Sequence, residues 1–423
     1  MSAPAAPRRR RLRIAGWVAL GLVVLIGLFA ALNRDRIARL HAATTLFEQE
    51  RIVANFSAMP SIFNAVEIAT TGEPRPLSRA ERPLPEAVEV AGERVAVEDW
   101  LDESATTSFL VLRNGAVEHE SYHLGTRPDD LRISWSVAKS FVSAHLGQLV
   151  GDGRVDLERS VDSYVPALAD SAYEGARVID VLRMASGVAF DEDYLDFWSD
   201  INRMGRLLAI GGSMDEFAAR VDERAGPAGQ TRRYTSIDTH VLALVIRSVT
   251  GGRLADTLGE GVLGPLGLEG RAVYVTDSEG TAFALGGLNL TTRDYAKFGQ
   301  MYLDGGRVGD AQVVPADWVA ASSEPSPLPG ANAGPSGRFD YGYHWWIPPH
   351  AARHGGDYTA RGIYGQYIYV NPSHEVVIVK TSADRRFREP WRNGLSRAEL
   401  DIEMMRGIAR AGAASTVSAR TDE

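Results

Sequence analysis

Residues 133–150 read Ile133-Ser-Trp-Ser-Val-Ala-Lys139-Ser-Phe-Val-Ser-Ala-His-Leu-Gly-Gln-Leu-Val150, and Gly151-Asp-Gly153 follows. Apolar residues recur at helical spacing after Lys139, and the glycines supply a stop, so the stretch predicts a helix over 137–150. Ser136 then falls in the first turn, on the same face as Lys139. A lysine whose pKa is lowered by burial can accept the proton of a serine hydroxyl, which makes the serine a nucleophile. Ser136-x-x-Lys139 alone also fits a capped helix with a solvated lysine.

A second segment, Arg233-Tyr-Thr-Ser236, precedes an apolar helix predicted over 238–249. A tyrosine hydroxyl beside a lysine can relay a proton to a leaving group, and a serine two residues later can hydrogen-bond that lysine. A turn tyrosine packed on a helix is the simpler interpretation of this segment alone.

A third segment, Ala360-Arg-Gly-Ile-Tyr-Gly365, opens a predicted strand. Glycine at this point lets the backbone approach a ligand, and an amide at the strand edge could donate to an oxyanion. Taken alone, the segment is only a glycine-rich entry to a strand.

In order and spacing, the three segments together resemble the serine β-lactamase and penicillin-binding superfamily. The likeness is to its class C-type branch, where Tyr-x-Asn or Tyr-x-Ser forms the second motif, and is closest to the 6-aminohexanoate-dimer (nylon-oligomer) hydrolase group. It spans about residues 56–409. The matching stretches are 136–141, 153–157, 161–166, 181–187, 190–194, 234–236, 286–295, 341–346 and 362–366.

The resemblance implies a role for each matching residue. Ser136 would be the acylated nucleophile and Lys139 the general base. Tyr234 would complete the proton relay, and Ser236 would hold the Lys139 ammonium. The backbone amides of Ser136 and Ile363 would form the oxyanion hole.

The resemblance also implies a set of substrate contacts. Tyr194 matches a substrate-contacting tyrosine of the nylon-oligomer group, and Trp345 or Trp346 would wall the pocket. Gly362 and Tyr364 flank the oxyanion amide and complete this set. Core packing is the alternative role for these aromatic side chains.

The third motif departs from the pattern of relatives that act on β-lactams or D-alanyl peptides. Those relatives carry Lys-Thr-Gly or His-Thr-Gly, whereas the positions counted back from Gln366 are Asp357-Tyr358-Thr359. A carboxylate in place of a cation would repel substrates that carry a carboxylate. This departure disfavours lactamase or peptidase activity and leaves the nucleophile unaffected.

The N-terminus carries Arg8 to Arg11 and Arg13, followed by an uncharged apolar run over residues 14–32. That length suits a membrane-spanning helix, and the clustered arginines predict a cytoplasmic N-terminus with the remainder exported. A cleaved signal peptide is the alternative, but the run is long and no Ala-x-Ala site follows it. We therefore expect a single-pass anchor with a periplasmic or extracellular catalytic domain.

Composition narrows the function further. Residues 1–36 carry a net charge of +6, which leaves about −15 on the exported part and argues against nucleic-acid binding. The absence of cysteine excludes disulfides and a thiol nucleophile. The nine histidines show no metal-ligand spacing, and the chemistry expected of Ser136 requires no metal or organic cofactor.

The predicted fold class is α/β. Strands at both ends of the chain would form one antiparallel sheet flanked by helices, with a mostly helical lobe inserted, as in the β-lactamase fold. Strands over 107–112 and 116–122 would flank an Asn114-Gly115 hairpin turn. The expected parts are an anchor (1–36), a stalk and extended arm (37–90), a hydrolase domain (91–411, lobe about 135–322) and a disordered tail (412–423).

These observations predict an extracytoplasmic serine hydrolase acting on carboxylic esters or small linear amides through an acyl-enzyme on Ser136. One alternative is a β-lactamase or a D-alanyl-D-alanine peptidase. The other is a catalytically silent envelope protein, although a pure binding protein has no use for Ser136, Lys139 and Tyr234 together. The sequence leaves the physiological substrate and the oligomeric state open.

Overall fold

The computed structural model describes residues 7–329, 339–391 and 394–420. The helices are α1 Pro7–Leu32, α2 Arg34–Thr44, α3 Ile52–Ile62, α4 Val97–Glu103, α5 Ala138–Gly151, α6 Val161–Tyr164, α7 Val178–Leu182, α8 Asp200–Ile210, α9 Met214–Ala219, α10 Ile237–Thr250, α11 Leu254–Leu258, α12 Gly264–Leu266, α13 Thr292–Leu303, α14 Ala316–Ser323 and α15 Arg397–Arg420. The strands are β1 Ala65–Glu67, β2 Ser78–Arg79, β3 Ala87–Val90, β4 Glu93–Ala96, β5 Thr106–Arg113, β6 Ala116–Tyr122, β7 Arg132–Ile133, β8 Val273–Val275, β9 Leu288–Leu290, β10 Arg307–Val308, β11 Ala311–Gln312, β12 Asp340–Tyr341, β13 Trp346–Ile347, β14 Tyr358–Gly362, β15 Gln366–Asn371 and β16 Val376–Ser382.

The central sheet joins distant segments, as the sequence predicts. Its order is β12-β13-β14-β15-β16-β5-β6-β2, antiparallel except for the short β2–β6 pair. Asn114 and Gly115 both have positive φ (50° and 75°), which confirms the tight hairpin between β5 and β6. The sheet places β14, which carries the third motif, near one edge.

Both faces of the sheet are covered. Along β5, Phe109 and Val111 pack with α4 and α15, whereas Leu110 and Leu112 pack into the larger core shared with the helical lobe. Side chains alternate between faces of a strand, so an apolar run with helices on both sides is buried throughout. The fold is therefore α/β with an antiparallel sheet between helical layers.

The inserted lobe runs from α5 to α14 and is mostly helical, as predicted. It also contributes to a second, four-stranded sheet, β1-β8-β9-β7, whose strand β7 leads directly into the first motif. Almost all of α5 is buried, because Phe141 and Phe298 of α13 stack at 3.6 Å and seal its core-facing side.

The N-terminal region differs from the predicted stalk. Leu12–Leu32 forms a helix with mean hydropathy 2.5 that is unburied and long enough to span a membrane, by length and composition. The chain then folds onto the domain, because α3 buries Ile52, Phe56 and Met59 at helical spacing. Residues 52–67 thus belong to the folded domain and are not part of a separate stalk.

The C-terminal end also differs from prediction. Helix α15 begins near the predicted position, at a Ser396–Glu399 capping box, and continues to Arg420. The tail expected to be disordered is therefore helical over 412–420, in a stretch whose alanines favour helix.

Candidate active site

Ser136 lies in a 3₁₀ turn, Trp135–Val137, immediately before α5. The regular helix begins at Ala138, one residue later than predicted, so Ser136 lies in the 3₁₀ turn just before it, and Trp135 enters that turn with a positive φ of 44°. The turn aims the partly exposed serine at Lys139, whose Nζ donates a hydrogen bond to Ser136 Oγ at 3.0 Å. The structure thus brings the predicted nucleophile and base into direct contact.

Lys139 is almost completely buried, with 1% of its surface exposed. Its Nζ also donates to the carbonyl of Leu285 at 2.9 Å. Burial lowers the pKa of Lys139 to about 7, although the Glu192 and Asp238 carboxylates raise it in opposition. The amine is therefore neutral in a large fraction of molecules at neutral pH and can accept a proton.

Tyr234 packs beside this pair. Its ring centroid lies 5.3 Å from Lys139 Nζ, and Ser136 and Ser236 are close enough to its hydroxyl to lower the pKa of Tyr234. Burial, and then the charge of Glu192, raise the pKa of Tyr234 well above its ordinary value. The phenol keeps its proton at neutral pH, so it can donate or relay a proton, whereas the lowered pKa of Lys139 makes that amine the group able to accept one.

Ser236 does not contact Lys139 in the way that the resemblance implies. Its hydroxyl donates to Glu192 Oε2 at 3.1 Å, and its backbone amide donates to Glu192 Oε1. Tyr194 donates to the same carboxylate at 2.8 Å. Ser236 and Tyr194 therefore act on Lys139 through the negative charge of Glu192.

Glu192 is the first of two acidic site residues that the sequence motifs do not reveal. Burial raises the pKa of Glu192 above its ordinary value. The Lys139 charge and the hydrogen bonds from Ser236 offset part of that rise. Three donors converge on the carboxyl, which suits the ionised form. Its position two residues before Tyr194 is the only sequence feature that connects Glu192 to the site. Asp191 and Asp193 are its neighbours, so the sequence does not show which of the three carboxylates faces Lys139.

A second acidic group, Asp238, was also missed. Burial raises the pKa of Asp238 to about 8, although the hydrogen bond from the Tyr173 hydroxyl, at 2.7 Å, partly offsets that rise. The raised pKa makes Asp238 the weaker counter-charge of the two, and Glu192 contributes more to the pKa of Lys139.

Gly362 brings the third motif against the nucleophile. A Cβ added there would lie 2.6 Å from the Ser134 carbonyl oxygen, so only glycine allows this approach. Strand β14 consequently packs on the turn that holds Ser136. The Ile363 amide, the predicted second oxyanion donor, follows Gly362 directly, and Tyr364 next to it has a positive φ of 64°.

The two predicted pocket tryptophans have different positions. Trp346 stacks on Tyr234 with ring centroids 5.2 Å apart, at the site. Trp345 is fully buried on the opposite face of the strand, against Phe298, Tyr302 and Tyr358. Trp345 therefore belongs to the core and does not wall the pocket, because adjacent strand residues point in opposite directions.

Asp357 is not placed to repel a substrate carboxylate, contrary to the expectation from the sequence. Asp357 is completely buried and accepts two hydrogen bonds from Arg406, at 2.7 and 2.9 Å. Its charge is neutralised in the core, away from the site. The charged group of β14 that affects Tyr234 is Arg361, which lowers the pKa of the phenol and lies 5.8 Å from the Trp346 ring.

Within the described residues, no group of three or more His, Asp and Glu side chains is arranged to hold a metal ion. The groups that this site brings together are a serine hydroxyl, an amine with a lowered pKa and a protonated phenol. With this set, the serine oxygen can attack a carbonyl carbon and displace the leaving group, while the amine and the phenol move the protons.

The model of the beta-lactamase family matches residues 97–397, which include all of these groups. The chain belongs to the beta-lactamase family. A curated relative, the 6-aminohexanoate-dimer hydrolase of Paenarthrobacter ureafaciens, is 34% identical over 298 residues, covering 68% of this chain and 75% of that protein. These matches make the protein a serine hydrolase of the beta-lactamase family.

Solved structures share the fold. A candidate 6-aminohexanoate-dimer hydrolase from Bacillus anthracis matches with TM-score 0.75 and 24% identity, over 86% of this chain and 95% of its own. EstCE1, a hydrolase with promiscuous acyltransferase activity, matches with TM-score 0.56 and 14% identity, over 74% and 96%. At these identities the likeness concerns the beta-lactamase fold itself.

Proposed function

We propose that the protein is an extracytoplasmic hydrolase of small linear amides or carboxylic esters that works through an acyl-enzyme on Ser136. One observation carries the proposal: Lys139 Nζ lies 3.0 Å from Ser136 Oγ in an environment that lowers the lysine pKa to about 7. A lysine that serves only as a structural cation does not need a lowered pKa, whereas a lysine that acts as a base does.

Acylation follows from the geometry. Neutral Lys139 takes the proton of Ser136 as Oγ attacks the substrate carbonyl carbon, and the amides of Ser136 and Ile363 stabilise the resulting oxyanion. The tetrahedral intermediate expels the amine or alcohol. Tyr234 donates its proton to that leaving group and is reprotonated from the Lys139 ammonium, so protons balance.

Deacylation reverses the roles. A water molecule attacks the acyl carbonyl and gives up its proton to the neutral Lys139–Tyr234 pair. The intermediate then collapses, the Ser136–acyl bond breaks, and Ser136 Oγ recovers a proton. A carboxylic acid leaves, and the enzyme returns to its starting state.

The substrate class rests on the similarity to the curated 6-aminohexanoate-dimer hydrolase, whose name denotes a linear amide. Esters present the same carbonyl with a better leaving group, so a site that cleaves amides also accepts them. A second candidate, hydrolysis of β-lactams or D-alanyl peptides, is favoured by the cation of Arg361 near Tyr234, because such substrates carry a carboxylate.

The location rests on the N-terminal helix. Leu12–Leu32 is long and apolar enough to cross a bilayer and follows a cluster of arginines. This arrangement supports a retained anchor with a cytoplasmic N-terminus. Intact mass of the protein from a membrane fraction tests it, since a cleaved signal sequence removes this segment.

The experiment for the chemistry uses the full chain in detergent micelles. Wild type and Ser136→Ala are treated with a fluorophosphonate and, separately, with a penicillin, and intact mass is measured. We expect a fluorophosphonate adduct on wild type and none on Ser136→Ala.

The other outcomes of this experiment distinguish the alternative substrate class, a different nucleophile and a lack of activity. A stable penicillin adduct that also depends on Ser136 favours the lactam or cell-wall reaction. An adduct that survives in Ser136→Ala places the nucleophile elsewhere, and no adduct with either reagent contradicts the proposed activity.

A further inference from the structure

Two strained residues frame the proposed oxyanion hole. Trp135 precedes Ser136 and Tyr364 follows Ile363, and both have positive φ, of 44° and 64°. For a bulky side chain this conformation is unfavourable and persists only where neighbours hold it. Something outside the two short motifs must therefore stabilise both residues.

Two phenylalanines from the N-terminal region supply that support. The Phe47 ring stacks on Tyr364 with centroids 5.0 Å apart and lies 5.9 Å from Trp135. Phe56, on α3, meets Trp135 and Tyr364 edge-on, at 5.4 Å each. Both strained residues thus pack against the same pair of rings, although one belongs to the helical lobe and the other to the sheet.

Hydrogen bonds fix those phenylalanines to the strand before the nucleophile. The buried guanidinium of Arg132, on β7, donates to the Val53 carbonyl at 2.9 Å and to Ser57 Oγ at 2.7 Å, both on α3. The Asn55 amide donates to the Leu46 carbonyl at 3.0 Å, which holds the turn that carries Phe47. The support is therefore a fixed part of the structure.

We propose that Phe47 is a positioning residue that keeps the Ser136 and Ile363 amides at the separation the oxyanion requires. It acts through Trp135 and Tyr364 and lies outside the family match, which begins at residue 97. The inference rests on the proposed function, because it presumes that these two amides bind the oxyanion. Hydrogen bonds weaken steeply when donors move, so a small displacement lowers the rate of chemistry more than substrate binding.

The test measures kcat and KM for p-nitrophenyl butyrate hydrolysis by the full chain in micelles at pH 8.5. Phe47→Ala is compared with Phe47→Tyr, which keeps the ring, and Phe47→Leu, which keeps apolar volume. Phe217→Ala is the matched control, since Phe217 is a partly buried phenylalanine on α9. We expect Phe47→Ala to lower kcat by about 10- to 100-fold with KM nearly unchanged.

The other variants separate positioning from loss of stability. Phe47→Tyr should keep kcat within about threefold of wild type, Phe47→Leu should be intermediate, and Phe217→Ala should keep wild-type kcat despite a lowered Tm. If Phe47→Ala does not fold, Phe47→Leu carries the test.

Equal kcat in the Phe47 variants and the control, or a change in KM alone, overturns the inference. Failure of wild type to form a fluorophosphonate adduct on Ser136 contradicts the proposed function instead, so the two failures are distinguishable.

Discussion

The pH dependence of acylation tests the central pair of the site. The pKa of Lys139 is about 7, against about 10.5 for an exposed lysine, and the cause is burial. This difference of about 3.5 pKa units corresponds to roughly 5 kcal/mol. At pH 7 about half of the buried amine is neutral, compared with about one in 3,000 for an unperturbed lysine.

The sign of the pH effect follows from the role of the amine as a base. The rate of fluorophosphonate labelling and kcat/KM for p-nitrophenyl butyrate should rise with pH and level off above an apparent pKa near 7. Below that value each should fall about tenfold per pH unit.

Replacing Glu192 by glutamine should move this limb to lower pH. The carboxylate raises the pKa of Lys139, so its removal lets the amine lose its proton more easily. A shift of about one pH unit is expected for loss of a nearby opposite charge. Glutamine still accepts from the Ser236 amide, and the hydroxyls of Ser236 and Tyr194 can reorient to accept from its NH₂ group.

The control for this variant is Glu216→Gln, an exposed carboxylate on α9 that pairs with Arg220. It should leave the limb where it is in wild type. A wild-type limb near pH 10, or a limb of Glu192→Gln at the wild-type pH, would contradict a lowered pKa of Lys139 that Glu192 opposes.

Three further variants test separate parts of the site. Lys139→Met should abolish labelling. Between pH 7 and 10, the free energy of unfolding of wild type should rise relative to that of this variant, by at most about 5 kcal/mol. The reason is that Lys139 binds more protons in the unfolded state than in the folded state over this pH range. Urea titrations at several pH values measure this free energy. Gly362→Ala should lower kcat about 100-fold with little change in KM, because the added methyl group would lie 2.6 Å from the Ser134 carbonyl oxygen. Steady-state kinetics on p-nitrophenyl butyrate measure both constants, and a wild-type kcat would contradict the prediction. Arg361→Gln should raise KM about tenfold for an ester that carries a carboxylate and leave KM for a neutral ester unchanged. An equal effect on both esters would mean that Arg361 does not recognise the substrate carboxylate.

Local patterns were enough to predict several parts of the protein. Helical spacing after Lys139 located α5, alternation around Asn114-Gly115 located the β5–β6 hairpin, and the order of three motifs indicated the family. Each of these features depends on residues close together in the sequence, whose backbone preferences act locally. The same holds for the apolar run that forms α1.

Features that depend on distant neighbours could not be predicted in this way. Trp345 and Trp346 are adjacent in sequence, yet only the packing of α13 against the sheet decides that Trp345 enters the core. Residues 52–62 looked like part of a stalk because their partners lie on β7, about 75 residues later. Burial is a property of the assembled layers.

The sequence by itself determined which groups could react: a serine and a lysine three residues apart, a tyrosine and a glycine-rich strand. Only the tertiary structure decided that Lys139 is buried with a lowered pKa, that Glu192 lies near it as a counter-charge, and that Phe47 stacks on Tyr364. The physical reason is that desolvation and Coulomb energy sum over all atoms near a group, and those atoms come from segments far apart along the chain.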